Sequence, residues 1–260
     1  MKPFIKLLVR WLEWLLPLAG FLVIWQGLSS WLDLPAFILP SLEEVWIRFT
    51  QALMNGSLLY HGSITLIEIM LGLLIGSLAA TFLGYRVARS IRLERALSPY
   101  LVASQAIPIV AIAPLLVIWL GSGMSSKVFI CSLIVFFPIL VNTVVGVRAV
   151  PIALHDLMHS LRASRWQILW KLEIPAALPV FLGGLRIGAT LSVIGAVVGE
   201  LVGADRGLGF LVNVGRGQYD TALVFVAVFT LIALALGLYG IVAWIEQQTL
   251  GWQEWRRGGL

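Results

Sequence analysis

The sequence predicts an all-α, polytopic membrane helix bundle with six transmembrane helices. Sixty per cent of its 260 residues are hydrophobic and only 12% are charged, against about 25% charged in a typical soluble domain. The apolar residues gather into six runs, at about 14–32, 63–85, 98–120, 127–147, 177–200 and 222–246, each near the ~20 residues with which a helix crosses a bilayer. Lipid leaves only helices and closed barrels with a satisfied backbone, and runs this long and continuous indicate helices.

Charge sets the orientation. With the N-terminus in the cytoplasm, thirteen of the 18 Lys and Arg residues fall on the inside: Lys2, Lys6, Arg10, Arg86, Arg89, Arg92, Arg95, Arg148, Arg162, Arg165, Lys171, Arg256 and Arg257. Arg48, Lys127, Arg206 and Arg216 fall outside, and Arg186 lies within a span. This asymmetry predicts cytoplasmic N- and C-termini and a cytoplasmic loop at 153–173. The net charge of +5 then reflects topology rather than nucleic-acid binding. Lys2, Lys6 and Arg10 before an apolar run have the outline of a signal peptide. No small-residue cleavage site follows cleanly, and Trp11, Glu13 and Trp14 suit a membrane interface, so an uncleaved anchor is expected.

The spans differ in character. Between the first two, Ser41-Leu-Glu-Glu44 is a capping box, and Leu42, Val45, Trp46, Phe49 and Leu53 repeat at helical spacing. An amphipathic helix on the outer membrane surface is expected there. The second span carries Gly72, Gly76, Ala80 and Gly84, and the fifth carries Gly184, Gly188 and Ser192 beside Gly195 and Gly199. Such strips let helix backbones approach closely. Pro108 and Pro114 in the third span and Pro138 in the fourth each remove a helical hydrogen bond and favour a kink. Cys131 stands alone in an apolar run, so no disulfide framework exists and a small buried hydrophobe is expected.

The chain has no phosphate-binding loop of the Gly-x-x-x-x-Gly-Lys-Ser/Thr kind. His155 and His159 are spaced i, i+4, but no third metal ligand accompanies them. No nucleophile–base constellation is evident. Glu68, Gln105, Asn142, Arg186, Ser192 and Glu200 lie in or beside spans, and polar groups there face the bundle interior, a partner or water. Gln105, Asn142 and Ser192 are the candidates for lining a solute path, with interhelical hydrogen bonding as the alternative role of each. Arg186 is expected to snorkel towards the cytoplasmic end, and Glu200 to lie near the outer end.

The longest polar interval runs from His155 to Pro179. Leu154, Leu157, Met158, Leu161, Ile168, Leu169 and Leu172 recur in it at helical spacing. Ser164-Arg-Trp-Gln167 is a second capping box, and Pro175 disfavours helix at Ile174. The pattern predicts two short amphipathic helices, about 153–162 and 165–173, with a break before Pro175. An ordinary surface loop also fits this pattern.

This interval resembles the cytoplasmic loop of permease subunits of bacterial binding-protein-dependent ABC importers. The family pattern is Glu-Ala-Ala, three residues, Gly, nine residues, Ile-x-Leu-Pro. Pro175 fits the last position, Arg162 stands at the Gly, and Asp156-Leu-Met158 stands at Glu-Ala-Ala. Ala163-Ser-Arg-Trp-Gln167, Pro175-Ala-Ala-Leu-Pro179, Gly184-Leu-Arg-Ile-Gly188 and Gly207-Leu-Gly209 are similar to the nitrate/sulfonate/taurine-type branch. That branch includes carriers of riboflavin and of a thiamine pyrimidine precursor.

The resemblance implies a type I ABC importer permease (MetI-like) fold in the bacterial plasma (inner) membrane. It divides the chain into 1–34, an N-terminal segment and first span; 35–62, a periplasmic amphipathic loop; 63–250, the transmembrane core with its coupling loop 153–173; and 251–260, a cytoplasmic tail. It implies a homodimer, two ATPase subunits that carry ATP and Mg, and an extracytoplasmic substrate-binding protein. This chain would bind no cofactor and catalyse no covalent change. Leu157, Met158 and Leu161 would supply apolar docking to the ATPase, and Asp156, Arg162 and Arg165 the polar rim. The cargo would be a vitamin precursor such as a pyrimidine, riboflavin or an alkylsulfonate, with inorganic anions also open. The rival readings are a secondary transporter without ATPase partners, an intramembrane enzyme and a membrane scaffold. A secondary transporter would need coupling-ion sites or internal repeats, and no clear repeat or intramembrane acidic pair is evident.

Overall fold

A computed structural model describes residues 2–31 and 35–251, with the side chains of residues 2–15, 18 and 105 outside that description. Its elements are helices: α1 (Lys2–Trp31), α2 (Leu42–Met54), α3 (Ser57–Arg89), α4 (Ile91–Ala106), α5 (Ile109–Leu120) and α6 (Met124–Arg148). They continue as α7 (Ile152–Ser160), α8 (Arg165–Ile168), a π-helical segment (Leu169–Glu173), α9 (Ile174–Leu201), α10 (Leu208–Gly217) and α11 (Thr221–Thr249).

The centre of the fold is α6 held between α3 and α9. The two small-residue strips both face α6. A Cβ on Gly72 of α3 would lie 2.2 Å from the Cβ of Cys131, and one on Gly195 of α9 would lie 2.8 Å from the Cα of Cys131. Cys131 is wholly buried at this crossing, and its thiol points at the Ser192 carbonyl, 3.5 Å away. With no side chain between the backbones, dispersion contacts form along the whole seam. The expected tight packing is observed, and one helix receives both strips.

α2 has the expected capping box: Ser41 Oγ accepts from the Glu44 N–H while the Glu44 carboxylate accepts from the Ser41 N–H. Its buried face, Val45 and Ala52, packs into the same core as Trp25, Leu58 and Val226. Trp25 donates its indole N–H to the Pro40 carbonyl at 2.8 Å, and its ring lies 4.4 Å from that of Phe225. Arg48 pairs with Asp220 at 2.7 Å, where Asp220 also caps α11. The α2 helix is therefore clasped to α1 and α11, and Trp46 remains 65% exposed.

The structure departs from expectation at three places. First, among the described residues four helices are long and apolar enough to cross a membrane: Ser57–Arg89, Met124–Arg148, Arg165–Leu201 and Thr221–Thr249. The expected third span, 98–120, is made of α4 and α5, bent by 95°; counted as one broken span it brings the number among the described residues to five. Pro108 has no N–H to continue the ladder and biases Ile107 towards extended backbone. Ile107 accordingly has φ −76° and ψ 119°. The expected first span, 14–32, falls on α1 and on residue 32, partly outside the described residues.

Second, no break precedes Pro175. The helix runs unbroken from Arg165 to Leu201. The π segment supplies the reason: the Ile174 N–H reaches the Leu169 carbonyl five residues back. The wider turn moves the ladder out of register just where the proline lacks a donor and its ring would strike the preceding turn. Third, Arg186 has partners within the bundle. It turns to α11, pairs with Glu246 and lies 5.0 Å over the Tyr239 ring.

Candidate functional site

The expected turn between the two short helices forms, and an arginine makes it. α7 ends at Leu161, Arg162 takes the left-handed conformation with φ 53°, and the chain reverses. The Arg162 N–H donates to the His159 carbonyl and the Ala163 N–H to the Met158 carbonyl, each at 2.9 Å. That pair of bonds is a Schellman cap, in which glycine normally occupies the left-handed position. Ser164 then starts α8, with the predicted capping box to Gln167 in place.

α7 buries none of its residues. Ile152, Leu154, Leu157 and Leu161 are 78%, 41%, 53% and 69% exposed. Met158 is half-buried, and Asp156, Arg162 and Arg165 are exposed. The six predicted docking residues thus lie together on and just beyond one helix at one end of the bundle. Trp166 and Trp170 extend the exposed apolar surface along the next turns.

Behind α7 lies a buried carboxylate that sequence reasoning missed. Glu173, 1% exposed, accepts from Arg89 Nη2 at 2.9 Å and from the Tyr85 hydroxyl at 3.0 Å. His155 Nε2 of α7 lies 3.1 Å from the oxygen that Arg89 meets. The signal was present: Glu173 stands between Leu172 and Ile174 with no basic residue three or four places away, so its partner had to come from another element.

The opposite end of the bundle carries a second buried polar group. Glu200 is wholly buried and accepts from the Thr65 hydroxyl at 2.6 Å and from the Gly209 N–H at 2.5 Å. The Leu208 N–H donates to Thr65 Oγ1 at 2.8 Å and the Gly207 N–H to His61 Nδ1 at 3.1 Å. Three successive N–H groups at the start of α10 are therefore capped by side chains of α3 and α9, which satisfies donors that a helix cannot satisfy itself. Gly207 is required here. Its φ is 105°, and a Cβ would overlap the Glu200 carboxylate. The Gly207-Leu-Gly209 motif is thus a docking turn.

One helical turn from Thr65, Glu68 is 1% exposed and 3.5 Å from the ammonium of Lys127, itself buried on α6. Both border a cavity of about 480 Å³ that opens beside Asp205 and Arg206. The Asp205 backbone N–H and then the Arg206 guanidinium hold the Asp205 carboxyl below the usual carboxylate range. Lys127 was expected among exposed outer charges. It is buried because its α6 position faces both Glu68 and the strip glycine Gly199.

Of the predicted path residues, Asn142 is half-buried and donates to the Pro138 carbonyl at 2.8 Å. Ser192 has no exposed surface and returns its hydroxyl to Ala189 at 2.7 Å. Gln105 lies in α4, and its side chain is outside the described residues. Among the described residues no three His, Cys, Asp or Glu side chains cluster as metal ligands.

The described residues form a polytopic helix bundle with an exposed helix at one end. Residues 72–251 match the family model described as "Binding-protein-dependent transport system inner membrane component". The riboflavin transport system permease protein RibX of Chloroflexus aurantiacus is 46% identical over 89% of this chain and 87% of its own length. The formylaminopyrimidine transport permease protein ThiX of Halalkalibacterium halodurans is 36% identical over 90% and 92%. The fold is shared with the MetNI methionine ABC transporter in an inward-facing conformation (TM-score 0.58, 19% identity, 73% of this chain and 92% of that one).

The chain belongs to this family of ABC-importer permease subunits, in the nitrate/sulfonate/taurine-type branch. It is a multi-pass inner-membrane protein of an importer built from permease, ATPase and substrate-binding protein. ATP and Mg are bound and used by the separate ATPase.

Proposed function

We propose that the chain forms a homodimer, spans the membrane six times with both termini in the cytoplasm, and docks one ATPase per copy through α7. The observation that carries this reading is the state of α7: it has no fully buried residue and turns an apolar face outward beside exposed arginines. Such a surface needs a partner, and an apolar centre with a charged rim is the composition of a protein interface. Leu157, Met158 and Leu161 form the centre, and Asp156, Arg162 and Arg165 the rim. The basic residues at this end, Arg86, Arg89, Arg92, Arg95 and Arg148 among them, favour the cytoplasmic side.

In this reading ATP-driven closure of the ATPases shifts α7, and the spans pass from inward-open to outward-open. The binding protein then delivers its solute at the dimer interface. Gln105 and Asn142 line the path, and Ser192 joins it when α9 parts from α6. The relatives named for riboflavin and formylaminopyrimidine transport favour a nitrogen heterocycle of the vitamin or vitamin-precursor class, with an alkylsulfonate as the second candidate. The permease changes no covalent bond.

The test is a pull-down of tagged protein from gently solubilised membranes, followed by uptake assays with labelled riboflavin, pyrimidine and sulfonate. The expected result is an ATPase at one per permease in the wild type, lost or strongly reduced in Leu157→Glu, with membrane insertion unchanged. Recovery of the permease alone after crosslinking would overturn the docking reading and favour a secondary transporter.

A further inference from the structure

We propose that Glu173 and His155 form the link that transmits displacement of α7 to the spans, with Glu173 as the positioning residue. The proposal rests on the docking reading of α7 given above.

An exposed helix can bind a partner without moving anything else. To drive the bundle it needs a connection that resists sliding. Among the described residues, the side-chain hydrogen bond running from α7 to a span element is the one between His155 Nε2 and Glu173 Oε1, at 3.1 Å. The other α7 side-chain bond, from Ser160 to the Asp156 carbonyl, stays within the helix. Glu173 in turn is fixed from α3. Arg89 Nη2 donates to the same oxygen that His155 meets, and the Tyr85 hydroxyl donates to the other. Arg89 Nε also donates to the Tyr85 oxygen at 3.2 Å, which holds the two donors in register. One carboxylate therefore joins α7, α3 and the start of α9.

The backbone is shaped for this. Glu173 is the last residue of the π segment. Successive residues of an α-helix lie about 100° apart around the axis, so the extra residue of a π turn re-aims everything beside it. Such turns recur at functional positions. Here the turn both accommodates Pro175 and directs Glu173 at Tyr85, Arg89 and His155. A carboxylate taken fully out of water costs several kcal/mol unless its partners are well placed. An apolar residue would pack more cheaply, but it would let α7 slide. Hydrogen bonds weaken steeply with distance and angle, so this junction holds α7 in one position or releases it.

The test uses the complete importer (permease, ATPase and binding protein) reconstituted in liposomes, with ATP hydrolysis and solute uptake measured together. His155→Ala is expected to leave ATPase co-purification and hydrolysis in place while uptake per ATP falls roughly tenfold, the effect of losing a charge-assisted hydrogen bond. Glu173→Gln is expected to lower the same ratio. The double variant should lose little more than either single one, because the link is already cut. His155→Gln keeps a donor and should recover part of the ratio. An unchanged ratio in His155→Ala, or fully additive losses, would overturn the proposal. Loss of the ATPase from His155→Ala would also overturn it, by assigning His155 to docking. A wild-type permease that retains no ATPase would instead overturn the docking reading itself.

Discussion

Gly72→Ala tests the helix seam on which every other contact depends, and Gly237→Ala supplies its control. Both glycines lie inside apolar helices, α3 and α11. The same change gains the same intrinsic helix preference at each, about 0.5–1 kcal/mol. What differs is the space. A Cβ on Gly237 meets nothing within 4 Å, whereas on Gly72 it lies 2.2 Å from the Cys131 Cβ and 3.2 Å from the Val128 carbonyl oxygen. Carbon atoms prefer a separation of about 3.5–4.0 Å, so α3 and α6 must part by more than about 1 Å. Overpacking of this kind costs about 1–3 kcal/mol. Thermal unfolding of the detergent-solubilised protein, followed by tryptophan fluorescence, reads the difference. For a chain of this size 1 kcal/mol moves Tm by about 2–4 °C, so Gly237→Ala should unfold slightly higher than the parent and several degrees higher than Gly72→Ala. Cys131→Gly should restore part of the loss in the Gly72→Ala background. Equal stabilisation by both alanines would refute the α3–α6 contact.

Lys127→Met removes the cation beside Glu68 and should lower Tm in the same melting assay; Glu68→Gln in the same chain should recover part of the loss, and failure to do so would count against the pair. Arg162→Gly should preserve the α7–α8 turn, since glycine adopts positive φ freely. Arg162→Pro removes the N–H that meets His159 and fixes φ near −65°, so ATPase retention should fall in pull-downs; full retention would argue against a fixed turn. Arg162→Cys in a Cys131→Ala background should react with a membrane-impermeant maleimide only from the cytoplasmic side. Labelling from outside would invert the proposed topology.

Much of this was legible in the sequence because it depends on short-range rules. The capping boxes at Ser41 and Ser164 formed as read, because an N-cap is decided within four residues. The small strips packed as expected, although nothing in either strip says that both face α6. The errors arose where one rule was applied without its competitor. Pro175 does disfavour an α-helix before it, but a π turn accommodates the same missing donor and lets the helix continue. Hydropathy joined 98–120 into one span because an average over residues is blind to the 95° bend at Pro108. At the candidate site, the exposed apolar face of α7 was readable from its period, whereas the setting of Glu173 was not, because its partners lie 84 and 88 residues earlier, at Arg89 and Tyr85, and 18 earlier, at His155.

Two buried carboxylates, Glu173 just before α9 and Glu200 near its end, tie both ends of that helix to α3. Glu173 and Glu200 are 27 residues apart, about 40 Å along a helix, and each is bonded to α3: Glu173 to Tyr85 and Arg89, Glu200 to Thr65. Between them the two glycine strips press α3 and α9 against α6. Apolar packing alone resists separation but resists sliding weakly, since one ridge can move to the next groove. A directional bond at each end removes that freedom, because a slide of even one residue, about 1.5 Å, would break both sets. α3 and α9 must then move as one body. The second oxygen of Glu200 holds the first turn of α10, beside the cavity bordered by Glu68, Lys127, Asp205 and Arg206. On the proposed mechanism the cost of burying two acids in an apolar bundle meets a mechanical need: a displacement of α7 would reach the far cavity only if nothing along α9 slips.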